Sequence, residues 1–396
     1  MAHSEIRLDK VATITMGTSP KGTTYNREGI GVPLLNGPTE FGEIHPHCTL
    51  FTNDSKRECS AQDLIFCVRG STGRMNWADR SYSLGRGVCS IRGETSLDTR
   101  FIRYSIEWKL DELLNLASGS TFSQLTKDAI RDFPIPYPES RHKIASILSN
   151  YDNLIENNMR RIKILEEMAQ IIYCEWYVEF RFPGHENVKM MESELGLIPQ
   201  GWEVKQLGEM CDVVMGQSPK SEFYNELGEG LPFHQGVTDF GNWFPTDRVY
   251  CTIQNRTAKP DDILFSVRAP VGRINVADKK IVIGRGLSAI RSKSGNQAFL
   301  LQQLKDRFKE EDTIGVGTIF NAIRKSDLLE IQLLMPTNSL IAEFEEIAAP
   351  IFSLLGNLTK QNVNLRKSRD VLVPGLISGD LDVSNLDIAD ETVVSY

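Results

Sequence analysis

The chain has no run of eighteen apolar residues, so no helical membrane span is expected. Its first ten residues mix His3, Glu5, Arg7, Asp9 and Lys10 and hold no apolar signal core, so a cytoplasmic protein is expected. Cysteine is sparse: seven residues, at 48, 59, 67, 89, 174, 211 and 251, with no CxxC pair, which predicts free thiols in a reducing compartment. There is no Walker A loop, no Asn- or Asp-Pro-Pro-aromatic tetrapeptide of the amino-methyltransferase type, and no GxGxxG after a strand. His45-Pro-His47-Cys48 is the best metal-like cluster, but its counterpart Phe244-Pro-Thr-Asp247 offers no matching ligands, so an ordinary loop is expected. The acids lie near arginines, and no isolated acid pair marks a nuclease centre. No catalytic residue, metal or cofactor is expected of the chain itself.

What is present is globular. Of 396 residues, 41% are hydrophobic and 24% charged, enough for two or three domains. The net charge of −8 is unevenly placed. Residues 1–138 carry 16 basic and 16 acidic side chains, and residues 199–336 carry 17 of each. Residues 139–198 contribute −3 and residues 337–396 contribute −5. The acidity therefore belongs to the segments between and after two neutral modules. Whole-chain charge is a poor guide to a binding face in such a chain.

Those modules are copies. Met16-Gly-Thr-Ser-Pro-Lys21 returns as Met215-Gly-Gln-Ser-Pro-Lys220, and Thr39-Glu-Phe-Gly42 as Thr238-Asp-Phe-Gly241, both at an offset of 199. Residues 63–92 and 262–291 are identical at 14 of 30 positions, where chance gives about two. Ile65–Val68 and Ile263–Val267 read as short buried strands, and each Gly-Arg-Gly at 85–87 and 284–286 as a turn into another. Phe101–Leu116 and Gln297–Glu310 have helical spacing. Each module closes on a proline-bearing apolar stretch, Phe133–Pro138 or Ile331–Pro336, where proline should end one element before the next helix.

After each module the period becomes heptad. Ile144, Leu148, Tyr151, Ile155, Asn158, Ile162, Leu165, Ala169, Ile172 and Trp176 form one seam. Phe344, Ala348, Ile351, Leu355, Leu358, Asn362, Leu365, Arg369 and Leu372 form the other. Two seams in one chain most simply pair with each other, and Asn158 and Asn362 would fix their register. Pro350 should kink the second helix or begin its regular part. The expected organisation is a module over 1–138, a long helix over 139–182 and a linker over 183–201. A second module over 202–336, a second long helix over 337–379 and a loose acidic tail over 380–396 follow. Trp202 should anchor the start of the second module. The fold class is α/β (α+β), as an internal pseudo-twofold repeat.

The half-length duplication, Ile144-Ala-Ser-Ile-Leu148 and Trp176-Tyr-Val-Glu-Phe-Arg-Phe-Pro-Gly184 together carry a resemblance. So do Ser193-Glu-Leu-Gly-Leu-Ile-Pro-Gln-Gly-Trp202 and Arg369-Asp-Val-Leu-Val-Pro-Gly-Leu-Ile-Ser-Gly379. Over essentially its whole length the chain resembles the specificity subunit of type I restriction-modification systems. The resemblance implies two target-recognition domains, each reading one half of a split double-stranded DNA sequence, and two antiparallel helices as spacer. It implies two modification (methyltransferase) subunits and restriction subunits as partners. S-adenosylmethionine, ATP and Mg would then belong to those partners. The first module begins at Ile6-Arg-Leu-Asp-Lys10, without the Pro-x-Gly-Trp lead-in of the second.

Each module carries a basic strip: +3 over 63–92 and +4 over 262–291. Arginine forks suit phosphates and guanine edges alike. The residues shared by both copies are candidates for phosphate contact or for the common frame: Lys21 and Lys220, Tyr25 and Tyr224, Arg69 and Arg268, Arg74 and Arg273, Arg86 and Arg285. The competing reading makes Asp63/Arg69 or Asp79/Arg86 internal salt bridges. Differing residues are base-reading candidates: Asn36 against Gln235, Ile44 against Trp243, His45 against Phe244, and Ser71-Thr72 against Pro270-Val271. Asn and Gln suit adenine. The competing reading there is drift in exposed loops. A protein-interaction scaffold without direct DNA readout remains the alternative function, and intramolecular packing alone the alternative role of the heptads.

Overall fold

The computed structural model describes residues 3–117, 124–309 and 322–387. It divides into two units, one of Met1–Glu156 with Asn364–Tyr396 and one of Asn157–Val363. Each holds one module and part of both long helices.

In the first unit, Glu5–Arg7 pairs antiparallel with Pro134–Pro136, tying the start of the module to its end. A four-stranded sheet runs in the order Ala12–Met16, Val88–Gly93, Leu64–Cys67, Met75–Trp77. A five-stranded sheet runs Tyr25–Asn26, Phe51–Thr52, Val32–Leu35, Tyr82–Leu84, Glu58–Cys59, with one parallel pair, Val32–Leu35 beside Tyr82–Leu84. The unbroken apolar run Leu64–Cys67 follows from its place between two cores. Leu64 and Phe66 join Val68, Ile91, Ile102 and Ile106. Ile65 and Cys67, one residue over, face Leu35, Tyr82, Leu84 and Val88 toward the second sheet. Period-two alternation sends neighbours to opposite faces, and both faces are covered. The helices Ser96–Trp108 and Leu110–Asn115 occupy the predicted helical span, broken once at Lys109. Asp98 closes the first of them in a capping box with Thr95.

The second unit repeats this strand by strand. Glu203–Gln206 pairs with Gln332–Met335. The sheet orders match, now through Cys211–Met215, Leu287–Ser292, Ile263–Ser266 and Ile274–Val276. The helix Gln297–Arg307 stands where spacing placed it, and Glu310 lies outside the described residues. The absent Pro-x-Gly-Trp lead-in has no consequence for the strand that follows it, because Glu5–Arg7 and Glu203–Gln206 make the same pairing. The proline-bearing stretches are therefore strands as well as stops.

The two long helices are Arg141–Tyr173, continued by a π-turn over Cys174–Val178, and Asn338–Ser378. The second runs through Pro350 and begins twelve residues before it, so Pro350 does not mark the start of regular structure. In the first unit the helices pack antiparallel, Ile144, Ala145 and Leu148 against Val373, Leu376 and Ile377. In the second unit they do so through Tyr173 and Tyr177 against Ile341 and Phe344. Asn158 Nδ2 donates to Asn362 Oδ1 at 3.0 Å, both buried. The heptad seams hold in the middle and slip at the ends. Tyr173 and Tyr177 are buried in place of Ile172 and Trp176, and Val373 in place of Leu372. A straight helix drifts against a 3.5-residue repeat, and the π-turn adds a further offset.

Two expectations need correcting. The linker is not featureless: Met190–Ser193 and Gly196–Pro199 form a hairpin, and Phe182, Ile198 and Trp202 enter a core with Tyr177. The tail is docked through residue 387. Val383 is buried with Phe101 and Leu376, and Lys143 Nζ donates to the carbonyls of Ser384 and Leu386. One apolar side chain and two carbonyl contacts are enough to hold a segment whose composition reads as solvated. No helix among the described residues is long and apolar enough to cross a membrane.

Candidate nucleic-acid interface

Four loops meet in each module, and backbone hydrogen bonds stitch them. In the first, Gly17 N donates to Val88 O, Thr18 N to Leu84 O, Gly87 N to Asn36 O and Val68 N to Gly87 O, all between 2.8 and 3.1 Å. In the second, Gly216 N donates to Leu287 O, Gly286 N to Gln235 O and Val267 N to Gly286 O, between 2.9 and 3.0 Å. The shared Met-Gly and Gly-Arg-Gly motifs are explained by this junction. A Cβ on Gly17 would stand 2.1 Å from Gly85 O, and one on Gly216 2.1 Å from Gly284 O. Only glycine lets the two turns approach so closely.

The junction displays cations. Lys21, Arg69 and Arg86 are exposed around it, as are Lys220, Arg268 and Arg285 in the second copy. Arg69, Arg86, Arg268 and Arg285 make no side-chain hydrogen bond or ion pair among the described residues. The expected internal bridges do not form. Asp63 pairs with Arg92, and Asp262 with Arg291 at 2.5 Å, while Asp79 accepts from Tyr82 Oη at 2.5 Å. Arg92 and Arg291 thus hold the frame, and Arg69 and Arg86 are left to solvent.

Other candidates make contacts within their own module. Tyr25 Oη donates to Pro20 O at 3.3 Å, and Tyr224 Oη to Pro219 O at 2.8 Å with its ring stacked on Phe233. Arg74 donates to Pro38 O at 3.2 Å and lies over the Phe41 ring. The Arg273 backbone N–H donates to Ser266 Oγ at 2.8 Å, while the residue itself is exposed. Val271 is 1% exposed, in the module core, and so cannot read a base. Its counterpart Thr72 is half-buried, and Ser71 is exposed.

At 243, 45 and 244 the side chains face a long helix instead of an open loop surface. In the first unit, His45 Nδ1 lies 2.9 Å from Trp77 O and its Nε2 3.4 Å from Glu156 on the first long helix. The hydrogen bond with Glu156 raises the His45 pKa against the pull of burial. Ile44 gives its carbonyl to Trp77 N, and neighbouring Glu43 pairs with Arg366. In the second unit, Trp243 is buried against Phe352, and Phe244 lies under Lys360. A Cβ on Gly356 would come within 3.0 Å of Phe244. These residues differ between copies because each fits its module to its own stretch of helix. Glu156 and Gly356 occupy matching places in the two helices, 200 residues apart.

Motif reading missed a second docking contact. In the first unit Asp152 accepts from Arg103 Nη1 at 2.6 Å, Tyr104 Oη at 2.5 Å and Arg369 Nη1 at 2.5 Å. Burial works to raise this carboxyl, but the charges of Arg103 and Arg369 and the Tyr104 hydrogen bond outweigh it and hold it low. Asp98 behaves likewise. Burial opposes its charge, yet Thr95, Arg141, His142 and Tyr137 hold it far below the usual carboxylate range. The available signal was Arg369, a charged residue standing in an apolar seam.

Comparison with known proteins agrees with this geometry. The family model "Type I restriction modification DNA specificity domain" matches residues 4–167 and again 199–362. The chain is 33% identical over 267 residues to the Methanocaldococcus jannaschii MjaX type I restriction enzyme specificity subunit, spanning 66% of this chain and 62% of that one. It is 27% identical to the MjaIX specificity subunit of the same organism, covering 85% and 82%. The crystal structure of a type I restriction-modification S subunit from M. genitalium superposes with a TM-score of 0.60 at 18% identity, covering 94% and 96% of the two chains, a likeness of fold. With the family model matched on both copies of its repeat, the chain belongs to the type I restriction-modification DNA specificity family.

Proposed function

We propose that the chain is the noncatalytic specificity subunit of a type I restriction-modification complex, with each module reading one half of a bipartite, asymmetric DNA sequence. The observation that carries this is the pair of matching junctions. Both display Lys21/Lys220, Arg69/Arg268 and Arg86/Arg285 to solvent on the same backbone frame, while residues 36 and 235 at its centre differ. Shared cations suit the uniform phosphate backbone, and differing side chains suit two different half-sites. Methyl transfer and cleavage would lie with two modification subunits and the restriction subunits, which would bring S-adenosylmethionine, ATP and Mg. The long helices supply faces for such partners. Ile164, Met168, Ile171 and Leu354 in the second unit, and Leu154 and Val371 in the first, are exposed apolar side chains on them. The complex would act in the cytoplasm.

The test maps methylated adenines genome-wide with and without the gene, then with residues 199–336 replaced by another such module. A split motif should vanish on deletion and change in one half only on replacement. A motif that changes in both halves, or in neither, overturns the reading. A complex that assembles but shows no salt-dependent DNA binding points instead to a protein scaffold.

A further inference from the structure

Asn36 and Gln235 follow the strands Val32–Leu35 and Leu231–His234 and stand at the centre of the two junctions. Their backbone carbonyls do the same work, each accepting from the last glycine of Gly-Arg-Gly. Their side chains are also turned the same way. A Cβ on Gly85 would come within 2.6 Å of Asn36 Oδ1, and one on Gly284 within 2.7 Å of Gln235 Oε1. Both carboxamide oxygens therefore lie inward, against the first glycine of that turn.

In the second module a hydrogen-bond chain runs to the amide oxygen. The Arg285 backbone N–H donates to Ser218 Oγ at 3.1 Å. A backbone N–H can only donate, so the Ser218 hydroxyl accepts there on a lone pair and keeps its own proton. That proton goes to Gln235 Oε1, 2.8 Å away. With its oxygen held, the exposed Gln235 side chain is left with its NH2 group, two donors for which the described residues provide no acceptor.

We propose, building on the DNA-reading role above, that Gln235 is a donor-only reader that selects a keto base in the second half-site. Guanine offers O6 and N7 and thymine offers O4, all acceptors facing the major groove. Cytosine presents only an amino group there, donor against donor, and adenine sets an amino group beside its single acceptor N7, so both suit a donor-only side chain less well than a keto base does. The usual glutamine–adenine pairing needs the amide oxygen as acceptor for adenine's amino group, and here Ser218 holds the oxygen away, in space that Gly284 leaves open. Gln235 thus reads the opposite class of base from the one its residue type suggests.

The experiment selects binding sites from a randomised duplex pool with the complex assembled from this chain and its modification subunits. Wild type, Gln235→Glu, Gln235→Met and Ser218→Ala are compared. Wild type should prefer G or T at one position of the second half-site, by about tenfold to a hundredfold. Gln235→Glu replaces the donor by an acceptor and should turn that position toward C or A. Gln235→Met should flatten it. Ser218→Ala releases the oxygen, so adenine should gain about tenfold relative to wild type. An unchanged first half-site shows that each variant complex is folded and bound. The proposal is overturned if wild type prefers A or C at every position that Gln235→Met alters. It is also overturned if Gln235→Glu weakens all sequences alike, as a phosphate contact would, or if Ser218→Ala leaves the preference intact. A wild-type complex with no preference in either half-site overturns the reading role itself, and is recognised by the silent first half-site.

Discussion

Removal of the Asp152 carboxylate should be among the most damaging single changes in the first unit. Asp152 stands on the first long helix and takes charged or hydroxyl donors from three side chains on two elements: Arg103 and Tyr104 on the module helix, and Arg369 on the second long helix. The Arg103 and Arg369 side chains are 16% and 13% exposed, so neither recovers much hydration when its partner goes. Stripping one member from a buried charge cluster costs about 3–5 kcal/mol, because the cost is that of the charges left behind. At about 2–4 °C per kcal/mol for a unit of this size, Asp152→Ala should lower the unit's melting temperature by roughly 6–20 °C. Calorimetry would measure this, with hydrogen exchange over residues 96–108 to locate it.

The pH dependence follows with a definite sign. The Asp152 carboxyl is held below its ordinary value of 3.8, so the stability it confers is complete above that value and is lost as pH falls toward the depressed one. Wild type and Asp152→Ala should therefore differ by a constant amount near neutrality and converge in acid below that value. A variant within about 1 kcal/mol of wild type at pH 7, the reach of an exposed pair, would refute the reasoning. So would a gap that widens in acid.

Further consequences can be checked separately. Arg86→Ala and Arg285→Ala should weaken DNA binding by the assembled complex across all sequences, each reducing the slope of log affinity against log salt by about one; titrations at several salt concentrations decide it. Trp243→Ala should cost about 3–5 kcal/mol by emptying the contact with Phe352. In chemical denaturation it should lower the transition of the second unit and leave the methylation motif of surviving complexes unchanged. A motif change would restore residue 243 as a base reader. Burial pushes the thiols of Cys48, Cys59 and Cys211 up to about 12, so alkylation near neutral pH should await unfolding. Mass spectrometry after iodoacetamide treatment, with and without denaturant, reads this directly. Asn158→Leu and Asn362→Leu should couple in a double-mutant cycle by about 0.5–1.5 kcal/mol, and additive effects would show that the buried amide pair is not a unit.

How far the fold was legible depended on whether a signal was local. The repeat, the strand read at Ile65–Val68 and found at Leu64–Cys67, the turn at Gly85–Gly87 and the middle of the helix seams are written as sequence patterns, and the structure holds each of them. What failed was non-local. His45 and Phe244 occupy exposed-looking loops, and nothing within ten residues of either says that a long helix passes beside it. Comparing the two copies identified them as variable, which is correct, but variation has two causes. A residue differs between repeats when its half-site differs, and equally when its stretch of helix differs. Burial separates the cases: Trp243 is 4% exposed, while Gln235 lies open at the junction. Even there the residue type misleads, since a glutamine read alone suits adenine. Its pairing class is set by a serine seventeen residues earlier, with room left by a glycine forty-nine residues later. Base-reading letters in such a module are therefore carried by the side chain together with the neighbour that orients it. A change at Ser218 should rewrite the motif with Gln235 itself left unsubstituted.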